Sequence, residues 1–251
     1  MAGYGTNAPQ RAWRGFDDLD SMSQEAALLI AEELIRCTRR NGYASLALSG
    51  GGTPRRTYEL LAQQKDIPWD RVHLFWGDER MVPLDHEMSN FRMAQDALLA
   101  KISIPEKNLH PMPVEPEHAG PEAAHLYQQE LERFFEFSGP LPLFDLTLLG
   151  MGPDGHTASL FPNRESLSEP KKWVVWEPRP GRPPDVPRLS LTIPVFNRSK
   201  TVLFLVTASE KGEILDRIRH DPEAAARNYP AARINPAAGE LVWMVASDEK
   251  N

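Results

Sequence analysis

One stretch limits the fold of this chain more than any other: residues 144–162, FDLTLLGMGPDGHTASLFP. Leu146, Thr147, Leu148 and Leu149 form a short, continuous, largely apolar run, the pattern of a strand covered on both faces. The chain then enters Gly150-Met151-Gly152-Pro153-Asp154-Gly155. Three glycines and a proline in six residues exclude regular structure and let a ligand approach the backbone. A buried strand ending in such a loop belongs to an open α/β sheet, in which ligands bind at the carboxyl ends of the strands. Asp154 and His156 stand on that loop, a carboxylate two residues from an imidazole, suited to be a general base and its electrostatic partner. Two other readings compete. GMGPDG matches the G-x-G-x-x-G of dinucleotide folds, but that fingerprint needs a long helix starting inside the glycines, and Pro162 follows His156 by only six residues. Taken alone, the loop reads equally well as an Asp-Gly turn carrying an incidental histidine.

A second strand-to-loop unit precedes it. Residues 44–48 read as a strand that runs into Ser49-Gly50-Gly51-Gly52-Thr53-Pro54, followed by a helix over about 54–64 with Pro54 at a favoured first position. Strand, glycine loop and helix N-terminus together suit a phosphate, because free backbone N–H groups and the helix dipole both favour an anion. Ser49 and Thr53 add hydroxyl donors. The Gly-Lys-Ser/Thr ending of a nucleotide P-loop is absent, and a serine-hydrolase elbow fails because Ala47 stands where G-x-S-x-G needs glycine. The plainer alternative is an ordinary strand-to-helix turn.

A third strand, 72–76, ends in Gly77-Asp78-Glu79-Arg80, a charged loop at the same end of the sheet. Amphipathic helices are expected over about 21–40, capped by Ser21 or Ser23, over 89–101 with Ser89-Asn90 as cap, and over 120–137. Further strands are expected at 173–176, 188–193, 202–207 and 241–246. The proline-rich 177–187 (EPRPGRPPDVP) is a loop, long enough to be a lid or merely mobile. Ser209 is expected to cap a helix with Lys211 in its first turn, where a cation opposes the helix dipole. That mismatch suits a lysine facing an anionic ligand, and an exposed lysine is the alternative. No repeat or linker divides the 251 residues, so residues 21–251 read as one α/β domain behind a loosely ordered, aperiodic 1–20.

Net charge decides one class of partner. At −7 the chain lacks a general nucleic-acid surface, so cations for an anionic ligand have to be gathered locally. The single cysteine, Cys37, excludes an intrachain disulfide and a cysteine-rich metal site, and its place on the apolar stripe of the first helix makes it a packing residue. His73, His86, His110, His118, His125 and His220 are scattered without metal-ligand spacing, and His118 and His125 are expected to be solvated. No apolar run approaches the roughly 20 residues of a membrane span, and MAGYGTNAPQ lacks the apolar core of a signal peptide, so a cytoplasmic location is expected.

Three blocks together resemble the 6-phosphogluconolactonase family: LALSGGGTPRRTYELLA at 46–62, VHLFWGDERMVPLDHEMSNFRMAQDALL at 72–99, and FDLTLLGMGPDGHTASLFP at 144–162. A fourth, RLSLTIPVFNRSKTVLFLVTASEKGEIL at 188–215, keeps the collinear order. The resemblance implies a three-layer α/β/α sandwich around a mainly parallel, Rossmann-like sheet of the sugar-phosphate isomerase/deaminase type. It implies hydrolysis of 6-phospho-D-glucono-1,5-lactone without a cofactor or metal. It assigns His156 as general base, Asp154 as its partner, and Arg80 to the developing oxyanion or the sugar hydroxyls, with Asp78 holding Arg80 or the substrate. Ser49, Gly50, Gly51, Gly52 and Thr53 would take the phosphate, with Arg188 and Lys211 neutralising it; Arg55 and Arg56 are weaker candidates. The related glucosamine-6-phosphate deaminases carry a glutamate five residues after the loop histidine, where this chain has Phe161, and lack the arginine after Asp-Glu. A small phosphosugar is the expected partner, with no nucleic acid and no membrane, and a monomer is expected. The resemblance covers roughly residues 20–247; within it 177–187 is richer in proline and arginine than the family pattern, so its contacts are not carried over, and the first 20 residues match nothing in the family.

Overall fold

The computed structural model describes residues 10–114, 120–135, 139–181 and 183–247. In chain order the elements are β1 (Gln10–Phe16), α1 (Leu19–Asn41), β2 (Ala44–Leu48), α2 (Gly52–Leu61), β3 (Val72–Trp76), β4 (Asp78–Arg80), α3 (Asn90–Ala97), β5 (Leu109–His110) and α4 (Gly120–Phe134). They continue with β6 (Leu146–Leu149), β7 (Val174–Glu177), β8 (Arg188–Leu191), α5 (Ile193–Phe196), β9 (Thr201–Thr207), α6 (Gly212–His220), α7 (Pro222–Asn228) and β10 (Glu240–Ala246).

Seven strands make one parallel sheet in the order β1-β10-β9-β6-β2-β3-β5. Its central strands read as continuous apolar runs because helices cover both faces; every residue of β2 and β6 is buried. Alternation along β3 shows the two outer layers. Phe75 meets Phe134 of α4 at 5.1 Å between ring centroids, while its neighbour Trp76 meets Phe91 of α3 at 5.1 Å. The chain is therefore an α/β/α sandwich. α1 buries Met22, Ala26, Ile30, Leu34 and Cys37. Burial pushes the Cys37 thiol up to about 12, which leaves it a packing group.

The strand order places the ligand crevice. From β2 the chain moves one way across the sheet to β3 and β5; β6, on the other side of β2, starts the run through β9 and β10 in the opposite direction. The loops after β2 and β6 thus diverge at a topological switch point, the position where open α/β sheets leave a cleft. The charged triplet after β3 is not the loop expected. Gly77 donates to Leu48 O at 2.8 Å, accepts from the Leu191 N–H at 2.8 Å, and carries the chain out of the parallel sheet as β4. β4 joins β8 and β7 in a three-stranded antiparallel sheet.

Other expectations are corrected. Gln10–Phe16 is not loose: it pairs in parallel along the whole of β10. α1 is capped by Asp18, whose carboxylate accepts the Ser21 N–H at 2.7 Å, not by Ser21 or Ser23. α3 ends at Ala97 and passes into a single 3₁₀ turn at Leu99–Lys101. The helix near Lys211 starts at Gly212, with Lys211 itself as the residue before it, so Ser209 is not its cap. The expectations for residues 1–9 and for His118 lie outside the described residues. No helix among the described residues is long and apolar enough to cross a membrane.

Candidate active site

The loop after β6 closes on itself. The Gly152 N–H donates to His156 O at 2.9 Å, the Gly155 N–H to Gly152 O at 3.0 Å, and the Thr157 hydroxyl to Gly150 O at 2.8 Å. A bridge between Thr157 and Leu160 follows, not a helix, so the dinucleotide reading fails. His156 folds back over Gly152 so closely that a Cβ there would lie 2.0 Å from the imidazole; only glycine leaves room for the ring. Nδ1 of His156 lies 2.5 Å from Asp154 Oδ1. That bond assigns the proton to Nδ1 and leaves Nε2 as the basic nitrogen. The Phe161 ring sits 4.5 Å from the imidazole and blocks one side. Asp154 stands behind His156 with its side chain 12% exposed, and the imidazole is 23% exposed.

The loop after β2 offers the complementary chemistry. α2 begins at Gly52 without a side-chain cap and without an acid in its first turn, so its N-terminal N–H groups are available to an anion. The buried Tyr58 hydroxyl accepts the Ser49 N–H at 3.0 Å and donates to Ser49 O at 2.8 Å, which pins the entry to the loop. Ser49 Oγ is buried without a partner among the described residues.

The second sheet delivers the cations. Arg80 of β4 and Arg188 of β8 are register partners, two like charges across one ladder, which is costly unless an anion joins them. Neither forms an ion pair among the described residues. Arg80 donates to Met88 O; Arg188 donates to Val186 O at 3.3 Å and Pro184 O at 2.9 Å, so the described part of the proline-rich loop serves as its cradle. Arg188 is 5% exposed, and burial lowers its pKa against the opposing charge of Asp78. Arg80 Nε is buried and unpartnered among the described residues. Asp78 does not hold Arg80. Its carboxylate accepts the Ser159 hydroxyl at 2.6 Å and the Asn90 amide at 3.3 Å. Glu79 turns the other way and caps α3, accepting the N–H groups of Asn90, Phe91 and Arg80, each at 2.7 Å. Burial pushes its carboxyl up to about 7, and those three donors pull it down.

These two loops, the second sheet and Lys211, half-buried ahead of α6, enclose a cleft of about 250 Å³. His156, Arg80, Ser49, Gly50, Gly51, Gly52, Thr53, Asp78, Arg188 and Lys211 all line it; Asp154 alone of the predicted site residues stands outside, in contact with His156. Arg55 does not line it, and Arg56 pairs with Asp20 at 2.6 Å on the surface. A cavity of about 780 Å³ between α4 and β7 is larger, but its lining mixes Arg164, Glu165, Glu169 and Lys172 and holds no histidine–carboxylate pair. Sequence reasoning missed Asn90 and Ser159. Asn90 passed as a helix cap, and the one available signal was its place just after Ser89, ten residues beyond the charged triplet.

Comparison with known proteins gives one family. The family model described as glucosamine-6-phosphate isomerases/6-phosphogluconolactonase matches residues 17–243. The 6-phosphogluconolactonase of Synechocystis sp. is 43% identical over 224 residues, 88% of this chain and 90% of that protein. The rat 6-phosphogluconolactonase is 34% identical, over 92% of this chain and 89% of its own length. The crystal structure of 6-phosphogluconolactonase from Thermotoga maritima superposes with a TM-score of 0.82 at 32% identity, covering 94% of this chain and 100% of that one.

Proposed function

The chain belongs to the family of glucosamine-6-phosphate isomerases and 6-phosphogluconolactonases, and on that footing we propose that it hydrolyses 6-phospho-D-glucono-1,5-lactone to 6-phospho-D-gluconate with His156 as its general base. The reaction is the second step of the oxidative pentose phosphate pathway. The observation that carries the assignment of roles is the His156–Asp154 pair, its Nε2 without a partner among the described residues, in one cleft with the uncapped N-terminus of α2 and two arginines.

The phosphate sits on the backbone of Gly51, Gly52 and Thr53, with Arg188 and Lys211 supplying charge. His156 Nε2 takes a proton from water as the water oxygen adds to the lactone carbonyl carbon. The carbonyl oxygen becomes an oxyanion, and Arg80, whose Nε has no other partner among the described residues, stabilises it. The bond from that carbon to the ring oxygen then breaks, and the imidazolium returns its proton to the departing oxygen. Asp154 holds the imidazole in one tautomer and stabilises its charged form. A base of this kind supplies about 10²–10⁴-fold, and an oxyanion donor roughly 10²–10³-fold.

A deaminase needs a carboxylate where Phe161 packs on His156, and the ring leaves no place for one. The span matched by the family model, 17–243, and the seven-stranded sheet, whose edge strand is Gln10–Phe16, support reading the chain as one unit that takes in β1. A cytoplasmic monomer acting on a small phosphosugar, not on nucleic acid, completes the reading, and the net charge of −7 supports the last point. The test is loss of freshly generated lactone at mildly acidic pH, where spontaneous opening is slow. Acceleration by the wild type and not by His156→Ala is the expected result; equal acceleration by both removes His156 as the base.

A further inference from the structure

We infer that Asn90 reads one ring hydroxyl of the bound sugar through its side-chain oxygen, which makes it a specificity residue for the hydroxyl pattern of the lactone. The inference rests on the lactone reading above and deepens it.

Asn90 is 2% exposed and lines the cleft. Its Nδ2 donates to Asp78 O at 2.9 Å and to Asp78 Oδ1 at 3.3 Å. Both partners are acceptors, so the amide cannot be turned round: the nitrogen must face Asp78 and the oxygen must face away. Oδ1 faces the glycine loop. A Cβ on Gly50 would stand 1.9 Å from it, so the glycine is what leaves the oxygen its space. In that position Oδ1 is buried and has no donor among the described residues. A buried acceptor without a donor is rare in a folded chain, and at a cleft it marks the place of a ligand donor.

The chemistry of the substrate narrows that donor. A phosphate dianion, a lactone carbonyl and a ring oxygen present only acceptors, and none satisfies an amide oxygen. The hydroxyls on carbons 2, 3 and 4 are the remaining polar groups, and each can donate. The cleft is otherwise rich in donors: the α2 N–H groups, Arg80, Arg188 and Lys211. Asn90 Oδ1 is thus an acceptor placed among groups built for anions, between the phosphate loop and Asp78. A site that hydrogen-bonds a hydroxyl rejects the analogue lacking it, because its own polar group is left unpaired.

The experiment compares kcat/KM for the parent lactone and its 2-, 3- and 4-deoxy analogues, each generated fresh from the corresponding sugar phosphate. It uses the wild type and Asn90→Ala, with Asn90→Ser as a second variant that keeps a short donor toward Asp78. The expected result is that the wild type disfavours one deoxy lactone by about 10–100-fold, and that this discrimination falls to within about twofold in the variants while the other two ratios stay put. Ratios within one preparation do not depend on how much protein is folded, so a structural loss does not imitate the effect. Unchanged discrimination in the variants, or none in the wild type, overturns the role and leaves Asn90 as a scaffold with water on its oxygen. A wild type that does not turn over the parent lactone removes the lactone reading itself, and this role with it, and that failure shows without any variant.

Discussion

Among the described residues two histidine–carboxylate pairs have nearly the same geometry. His156 Nδ1 lies 2.5 Å from Asp154; His110 Nδ1 lies 2.8 Å from Glu130. They differ in what meets the other ring nitrogen. Nε2 of His156 has no partner among the described residues, and the ring lines the cleft. Nε2 of His110 is taken by His73 Nδ1 at 3.0 Å, and its ring is stacked on Phe75 at 4.2 Å, nearly coplanar at 4°, on the edge strand β5. Glu130 is shared in turn with Arg133 at 2.8 Å. A carboxylate on one nitrogen orients an imidazole; an open second nitrogen gives it work. On the proposed reading the first pair transfers protons, and the second fastens β3, β5 and α4 together.

The contrast is sharpest under alanine. His156→Ala is expected to lower kcat by about 10²–10⁴-fold while leaving the unfolding free energy within about 1 kcal/mol, as read by lactone turnover and urea titration. His110→Ala should do the reverse: about 2–4 kcal/mol of stability lost from a buried stacked ring, with kcat per folded molecule unchanged. Either variant moving both quantities breaks the division. Asp154→Asn, which keeps shape but not charge, should cost about 10–100-fold in kcat, visible in a pH–rate profile. Its counterpart Glu130→Gln, at a carboxylate one-third exposed, should shift stability by no more than about 1 kcal/mol and leave turnover alone.

The same histidine cluster also responds to pH. Burial, and then the neighbouring His110 and Lys107, hold His73 down to about 4. The unfolded chain takes up a proton near the ordinary imidazole value of about 6.5, so between about 6.5 and 4 it binds more protons than the folded chain does. Stability should therefore decline as the pH falls through that window. His73→Phe should flatten this part of a stability–pH curve; an unchanged slope would assign it to other groups.

Range along the chain decides which of these features the sequence discloses. Asp154 and His156 are two residues apart between glycines, so their pairing is visible in the string itself. The runs of β2 and β3 match their strands residue for residue, because each has apolar residues at both ends and only one polar position inside, Ser45 and His73. His73, His110 and Glu130 look scattered; only β3–β5 pairing and the packing of α4 bring them together. Arg80 and Arg188 are aligned by a ladder between segments far apart in the chain, and Asp78-Glu79-Arg80 gives no hint of a strand, since its pairing partner supplies the pattern. Asn90 reads as a cap at short range, and its second duty appears only when Gly50 comes within contact. Ser21 resembles a cap for a similar reason, but its own hydroxyl donates to Asp18 O, and the aspartate does the capping.

Among the described residues β1 has one neighbour in the sheet, β10, the strand farthest from it along the chain. During synthesis β1 therefore emerges before the strand it pairs with and has no template until β10 has followed. Arg11 and Arg14 put two charges on this edge strand, a feature that disfavours its pairing with another chain. The irregular pattern that hides this strand from the eye also suits a segment made before its partner.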